Sequence, residues 1–587
     1  MTLHWRESRR VESPAVFLAL AGLAYVAVML LTNANFTGDS SDYARASAAR
    51  LFGVNCDFLE FGHLAWRPLG TVLLEFFSAP RSGVNYPTLS YHALLELNSA
   101  AWICGLVGTV AAFAWLNNLL RSFSAAAFGV AFLIACKAYL NYSHVGTPYI
   151  PGLSALLAGL CVASLEPERS ASRVACDLAA GVLFAVSALL WGTFALALPG
   201  AVLLPLLFKG DWRRELPRVM RTGAAGVITL AGVYFFVGKA MGFESAAEYR
   251  GWMAASSHGL SGGGLPRAVI GFARSLVDLG DYGRLVRRNL THDPFNPVSA
   301  RDLLSIDLAK MTGIYLMMAA IATATVLTGA GRRALAAAAV MALPVFVFAV
   351  SWQGGDLERY LPAMPALVLL SAVAFQAAAG HLVLQSVIVA GVVFIATTNL
   401  LALSNGAQRR QDSIAISRLA GLESVSFDQS VLVVSHWQDG LMTFNRDRPL
   451  HKLNLEGLTV YPLLTPGSPT AAVWKEMAAA QILRSWDQGH RVFISSRLLA
   501  PKPEVSWNWM EAADEHVSWR DIPAFFGRFD YAPAATGGEF RELEPTERNR
   551  NALESVAVAP VPATAGDSTA RLPPGIVSTG SCVVRER

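Results

Sequence analysis

Apolar runs of about 17 to 25 residues follow one another through the first four hundred positions, each long enough to cross a bilayer as a helix. Inside hydrocarbon every backbone N–H and C=O needs a partner, and a helix supplies one within the segment itself, so such a chain folds as a helical bundle. Composition agrees: 53% of the 587 residues are hydrophobic and only 15% are charged, with a mean hydropathy of +0.40. The fold class is an α-helical polytopic membrane protein of about 11 transmembrane helices with a C-terminal soluble α/β domain. The net charge of +4 comes from scattered basic residues, so no nucleic-acid partner is expected. Six cysteines show no CxxC spacing. Cys104, Cys136, Cys161 and Cys176 fall in or beside apolar runs and only Cys56 and Cys582 in water, so no zinc site or disulfide framework is expected.

Lys and Arg orient the runs. Arg6, Arg9 and Arg10 precede the run from Pro14 to Leu31, which puts the N-terminus in the cytoplasm and makes this run a retained span, not a cleaved leader. Arg121, Arg169 with Arg173, Lys209 to Arg214, and Arg332-Arg333 then fall at alternate turns and stay inside. Two large loops, 33–95 and 239–310, are left on the outer face of the inner (plasma) membrane. Within the first, His63 to Phe77 carries Arg67-Pro68 and Glu75 and reads as an interfacial helix. The second and third spans are expected from Leu97 to Leu119 and from Ala125 to Leu140, and a tight hairpin breaks at Trp191-Gly192. The last span runs from Leu382 to Leu403, closing a membrane domain over 1–405.

Beyond Ser404 the texture is that of soluble protein, placed on the periplasmic side. Val431 to Val434 and Arg491 to Ile494 read as buried strands with a helix from Ala471 to Gln488 between them, giving an α/β domain over 406–559. Residues 560–587, rich in Pro, Ala, Ser, Thr and Gly, read as a loose, flexible tail.

In this topology polar groups converge on the outer face. Asp39 and Asp42 follow the first span, in Phe36-Thr37-Gly38-Asp39-Ser40-Ser41-Asp42-Tyr43. A partly desolvated carboxylate there can act as a general base, while the segment by itself reads first as the cap of a short helix. His144 and Tyr149 lie between the third and fourth spans, and Asp356, Glu358 and Arg359 follow the ninth. A guanidinium at the lip of a bilayer cavity suits a phosphate oxygen; it can also snorkel or pair with Asp356 or Glu358. Trp66, Trp252 and Trp352 can stack on sugar or lipid, or serve as interfacial belt residues.

Four stretches carry a resemblance. Asp39-Ser40-Ser41-Asp42-Tyr43 keeps the Asp and Tyr of an Asp-Glu-x-x-Tyr element, and Arg67-Pro68-Leu69 stands where His-Pro-Pro-Leu is common. Leu189-Leu190-Trp191-Gly192-Thr193 is similar to a Thr-Lys-Gly turn, and Arg359-Tyr360-Leu361-Pro362-Ala363-Met364-Pro365 to an Arg-Tyr-x-x-Pro-x-x-Pro helix entry. Together, across about residues 10 to 405, they resemble the GT-C superfamily of polyprenyl-phosphate-dependent glycosyltransferases, within it the protein O-mannosyltransferase and lipid A aminoarabinose transferase group. The chain departs from the pattern at Ser40, where the family has an acid, and at Trp191, where it has Lys.

The resemblance implies a transferase moving a sugar, with inversion, from a polyprenyl-phosphate carrier to a glycan, lipid or protein acceptor of the cell envelope. Asp39, or alternatively Asp42, would be the base, and Arg359, Tyr360 and Arg67 would hold the donor phosphate and lipid. Tyr43, His144 and Trp191 would contact substrate. The lipid-linked sugar is a substrate; no cofactor is assigned, and dependence on a divalent metal is open. Two other classes compete: a transporter or flippase for a lipid-linked or polar solute, which needs charges or broken helices at mid-membrane, and a GT-C-like scaffold without catalysis.

Overall fold

The computed structural model describes residues 14–34, 39–51, 58–77, 86–255, 264–279, 306–405, 430–434, 458–459, 474–499, 521–533 and 540–557. The apolar runs are helices: α1 (Pro14–Leu31), α4 (Tyr86–Leu120), α5 (Phe123–Ala135) with α6 (Lys137–Ser143), α7 (Tyr149–Ser164), α8 (Ser170–Leu190) and α9 (Leu198–Lys209). After α10 (Trp212–Ala240) and two shorter helices, α11 (Ala246–Ala255) and α12 (Leu265–Leu276), come α13 (Ile306–Val326), α14 (Gly329–Ser351), α15 (Met364–Ala377) and α16 (Leu382–Ala402). Among the described residues, seven helices are long and apolar enough to cross a membrane, and α5 with α6 adds an eighth segment bent by 67°. Three further apolar helices, Ala15–Leu31, Tyr149–Ser164 and Gly192–Phe208, are shorter than that, so against the expected 11 spans seven or eight segments of spanning length stand among the described residues. The chain is a multi-pass membrane protein whose helices keep apolar side chains on their outsides, such as Leu23, Ile228, Phe236, Leu343 and Val383.

Small residues let the helices meet. A Cβ on Gly152 of α7 would lie 2.5 Å from the Phe194 ring, while the Gly152 carbonyl accepts the Ser187 hydroxyl of α8 at 2.7 Å. α4 packs on α7, α7 on α8 and α8 on α10, and the end of α1 meets the end of α16 where Asn33 N–H donates to the Leu403 carbonyl at 2.7 Å. Charge is buried as well: Asp177 of α8 accepts from Arg218 Nε at 3.1 Å and from Arg221 Nη2 at 2.6 Å.

Several sequence expectations need correction. The helix of the second span starts earlier than the expected Leu97: α4 begins at Tyr86 and its spanning stretch at His92, because its first turns pack against α2 (Ser40–Leu51) and α3 (Trp66–Phe77). The third span is broken at Cys136, where the Ala135 carbonyl accepts from Asn399. The loop 239–310 contains α11 and α12, and α12 packs into the bundle. The helix α3 is amphipathic as expected, burying Trp66, Gly70, Thr71 and Leu74 and exposing Val72, Phe76 and Phe77.

The C-terminal region carries a four-stranded sheet in the order β2-β1-β3-β4, from β1 (Ser430–Val434), β2 (Leu458–Thr459), β3 (Arg491–Ser495) and β4 (Phe540–Leu543). β1 runs parallel to β2 and β3, with Val431 opposite Val492, and β4 is antiparallel to β3. The helix Trp474–Asp487 covers the sheet with Ile482 and Trp486. The expected tail lies outside the described residues.

Candidate functional site

Asp39 immediately precedes α2, and its carbonyl accepts the Tyr43 N–H at 3.1 Å, so it stands at the helix start. The positive end of the helix dipole favours its carboxylate there. Its side chain is exposed and accepts a long hydrogen bond from the Tyr149 hydroxyl, 3.5 Å. The backbone of Asp42 lies in α2, and its side chain is outside the described residues.

The α2–α3 corner is sewn by hydroxyls: Ser47 donates to the Arg67 carbonyl at 3.1 Å and Thr71 to the Ser47 carbonyl at 3.0 Å. This sets the Arg67 guanidinium 5.6 Å from the centre of the buried Tyr43 ring, while its Nη2 pairs with Glu60 at 2.6 Å. From Tyr43 a run of rings crosses the bundle end. Tyr43 is 5.3 Å from His63, His63 is 6.4 Å from Tyr149, and Tyr149 is 4.6 Å from Trp191 and 4.9 Å from Tyr142.

Trp191 occupies the break between α8 and the 3-10 turn Gly192–Leu196, in extended backbone with φ −149° and ψ 114°. Its ring lies 5.8 Å from the Arg359 guanidinium, which also stacks 4.2 Å from Trp352 and donates to Gln353 Oε1 at 2.7 Å. Arg359 is buried in the 3-10 segment Leu357–Ala363, and Asp39, Asp356, Glu358 and Tyr149 all act on it electrostatically. Glu358 accepts the Tyr142 hydroxyl at 2.6 Å. Arg359 Nε has no acceptor among the described residues.

Next to this cluster lies a cationic one. Lys137, at the start of α6, pairs with Asp278, and the Lys310 ammonium donates to the Asp278 carbonyl at 3.0 Å. Arg274 and Lys310 both act on Lys137, and Arg274 Nη1 donates to the Gly355 carbonyl at 2.6 Å, on the loop that carries Arg359. The Arg274 Nε also lacks an acceptor among the described residues.

The structure thus brings Asp39, Tyr43, Arg67, Trp191 and Arg359 together. It does not bring His144 into the ring run: His144 Nε2 is hydrogen-bonded to Thr32 Oγ1 at 3.0 Å, beside the end of α1. Tyr360 is fully buried and its hydroxyl lies 2.7 Å from both the Ala268 and the Gly354 carbonyls, which share its one proton, so it fixes the Arg359 loop to α12. Trp66 and Trp252 spend their indole N–H groups on the carbonyls of Gly146 and Leu59. Sequence reading left His63, Tyr142, Arg274 and Asp278 out of the candidate site. The concentration of Tyr and His between two apolar runs, Tyr142 to Tyr149, was the available signal for one of them. Among the described residues no group of three His, Cys, Asp or Glu side chains is placed to hold a metal ion.

No known family profile matches the chain, and neither does any curated protein. Among solved structures it is similar to ArnT from Cupriavidus metallidurans bound to undecaprenyl phosphate, with TM-score 0.49 and 13% identity over 91% of this chain and 98% of that one. The apo state of the same ArnT gives TM-score 0.47 at 13% identity, covering 90% of this chain and 97% of that one. The apo oligosaccharyltransferase of Archaeoglobus fulgidus gives 0.42 at 13% identity, covering 88% of this chain and 72% of that one. The chemistry open to the site rests on its own geometry, the placing of Asp39, Trp191 and Arg359, and not on these likenesses.

Proposed function

We propose that the chain is an integral membrane glycosyltransferase that moves a sugar from a polyprenyl-phosphate carrier to a cell-envelope acceptor on the periplasmic face, with inversion. The observation that carries this reading is that an exposed carboxylate, Asp39, and a buried guanidinium, Arg359, lie within electrostatic reach of each other at one end of the bundle. Nucleophilic substitution at a sugar needs this pairing of a base for the acceptor and a cation for the leaving phosphate. The acceptor hydroxyl attacks the anomeric carbon from the face opposite the phosphate. Its proton passes to Asp39, the anomeric C–O bond breaks, and its electron pair leaves on the polyprenyl phosphate.

Arg359 Nε is a buried donor with no acceptor among the described residues, as a phosphate-binding group requires. Lys137 pairs with the Asp278 carboxylate, Lys310 donates to the Asp278 carbonyl and Arg274 to the Gly355 carbonyl, so three cations stand near the Arg359 loop and give the lipid phosphate a second source of positive charge. Arg67 and Tyr43 form the wall beyond Asp39, and Trp191 lies between the base and the phosphate ligand. The outward-facing apolar helices let a prenyl chain remain in lipid while its headgroup reaches the site.

The test is transfer of labelled sugar from a panel of polyprenyl-phosphate donors in membranes holding the wild type, Asp39→Asn or Arg359→Ala. Asn starts a helix as well as Asp does, so Asp39→Asn preserves α2 and removes only the base. Product with the wild type and its collapse in Asp39→Asn is the expected result. Donor turnover that survives Asp39→Asn would remove Asp39 from the chemistry. A folded wild type that consumes no donor on the panel would remove the transferase reading.

A further inference from the structure

Arg359 has two carboxylates beside it on its own stretch of chain, Asp356 and Glu358, and both act on it electrostatically. Neither is its hydrogen-bond acceptor among the described residues. Glu358 takes the Tyr142 hydroxyl, and the guanidinium donates through Nη2 to a neutral amide oxygen, Gln353 Oε1, at 2.7 Å. We propose, on the transferase reading above, that Gln353 is a positioning residue for the donor: its amide aims the Arg359 guanidinium without neutralising it, which reserves the charge and the Nε–H for the phosphate of the lipid carrier.

The backbone at Gln353 is one that a glycine would adopt more readily. Its φ is +47°, in the left-handed region, where Arg121 is the one other non-glycine residue among those described. Gly354 and Gly355 follow at once, yet the left-handed turn falls on the glutamine. Contacts on either side enforce it. Trp352 is extended, the Gln353 carbonyl accepts the Asp356 N–H at 3.1 Å, the Gly354 carbonyl lies 2.7 Å from the Tyr360 hydroxyl, and the Gly355 carbonyl accepts from Arg274 Nη1 at 2.6 Å. Gly354 has no room for a side chain, because a Cβ there would run into the Ala349 carbonyl oxygen. A non-glycine residue stays in this region only where its surroundings over-determine it, and such residues gather at functional sites.

The neutrality of the amide decides its role. A carboxylate in the same place would form a charge-assisted pair with the guanidinium and cancel the charge that a phosphate needs. An amide oxygen takes one N–H and carries no net charge. It leaves Arg359 Nε, on a side chain more than nine-tenths buried, without an acceptor among the described residues. The Trp352 ring, 4.2 Å away, sets the plane of the guanidinium, and Gln353 sets its rotation within that plane. With both fixed, the donors are aimed before the phosphate arrives, and less freedom is lost on binding.

The test is binding of undecaprenyl phosphate to the purified full-length protein, read by native mass spectrometry, with thermal unfolding in parallel. Gln353→Glu keeps the length and the acceptor and adds a charge. It is expected to weaken lipid binding about tenfold or more, the value of a hydrogen bond to a charged group, while the unfolding midpoint holds or rises. Gln353→Gly relieves the backbone and removes the amide, so the midpoint is again expected to hold or rise while binding weakens about tenfold. A residue needed only for the fold gives the reverse, a lower midpoint with unchanged affinity, and that result overturns the assignment. Unchanged binding by Gln353→Glu also overturns it, and leaves the transferase reading standing. A wild type that binds no undecaprenyl phosphate, and no other polyprenyl phosphate, removes both.

Discussion

Replacing Arg359 by lysine keeps the charge and removes the plane. In the structure the guanidinium lies 4.2 Å from the Trp352 ring and 5.8 Å from Trp191 while one of its nitrogens donates to Gln353 at 2.7 Å. A lysine ammonium can reach either the amide or one ring, but it cannot stack and present a fork of donors at once. The loss of stacking is worth about 1 kcal/mol, and the loss of one charge-assisted hydrogen bond to a phosphate oxygen about 2 kcal/mol. Together they amount to about 3 kcal/mol, or roughly 150-fold in kcat/KM. Because a cation still faces Glu358 and Asp356, no buried carboxylate loses its counter-charge and the thermal midpoint should hardly move. The assay is sugar transfer against donor concentration in purified protein, with thermal unfolding in parallel. An Arg359→Lys protein within threefold of the wild type would refute the idea that the planar fork holds the phosphate.

Other outcomes rest on named contacts. Asp177→Ala leaves Arg218 with Glu215 alone, at 3.4 Å, and takes the carboxylate from Arg221, so it should cost about 2 kcal/mol, read as a lower unfolding midpoint in detergent; an unchanged midpoint would contradict the buried network. Gly152→Val drives a side chain into the Phe194 ring beside Trp191 and should cost about 1–3 kcal/mol together with reduced transfer, where an unchanged midpoint would show that the helices have room. Arg491→Ala removes a two-pronged contact to Glu542 on the sheet, but the pair is solvent-exposed, so the cost should stay below about 1 kcal/mol by thermal unfolding.

The positions of the apolar helices and of β1, β3 and the helix between them were legible because each depends on a local period that needs no partner. Asp39 and Arg359 were legible as candidates because a charge at the edge of an apolar run is rare wherever it occurs. What joins them was not. Tyr142 and Glu358 are 216 positions apart and Lys137 and Asp278 are 141 apart, and nothing in either local stretch names the other. Asp177, Glu215 and Arg218 were passed over for a related reason: their cost in lipid is cancelled by one another, a fact of packing and not of composition. The early start of α4 was hidden because its first turns lean on α2 and α3, where the apolar pattern is diluted.

The break at Cys136 makes a joint of a segment that would otherwise be a plain crossing. The joint is buried and tied by one side chain, since Asn399 donates to the Ala135 and Leu276 carbonyls and accepts from the Asp278 N–H, each at 2.7 Å. The seven residues of α6 beyond the joint carry Lys137 at one end and Tyr142 near the other, so they reach the cationic cluster and the Arg359 cluster with a single rigid body. A loosened joint would therefore disturb both together: Asn399→Ala should shift the Lys137–Asp278 pair and the Tyr142–Glu358 hydrogen bond in step, although Asn399 touches neither Lys137 nor Tyr142.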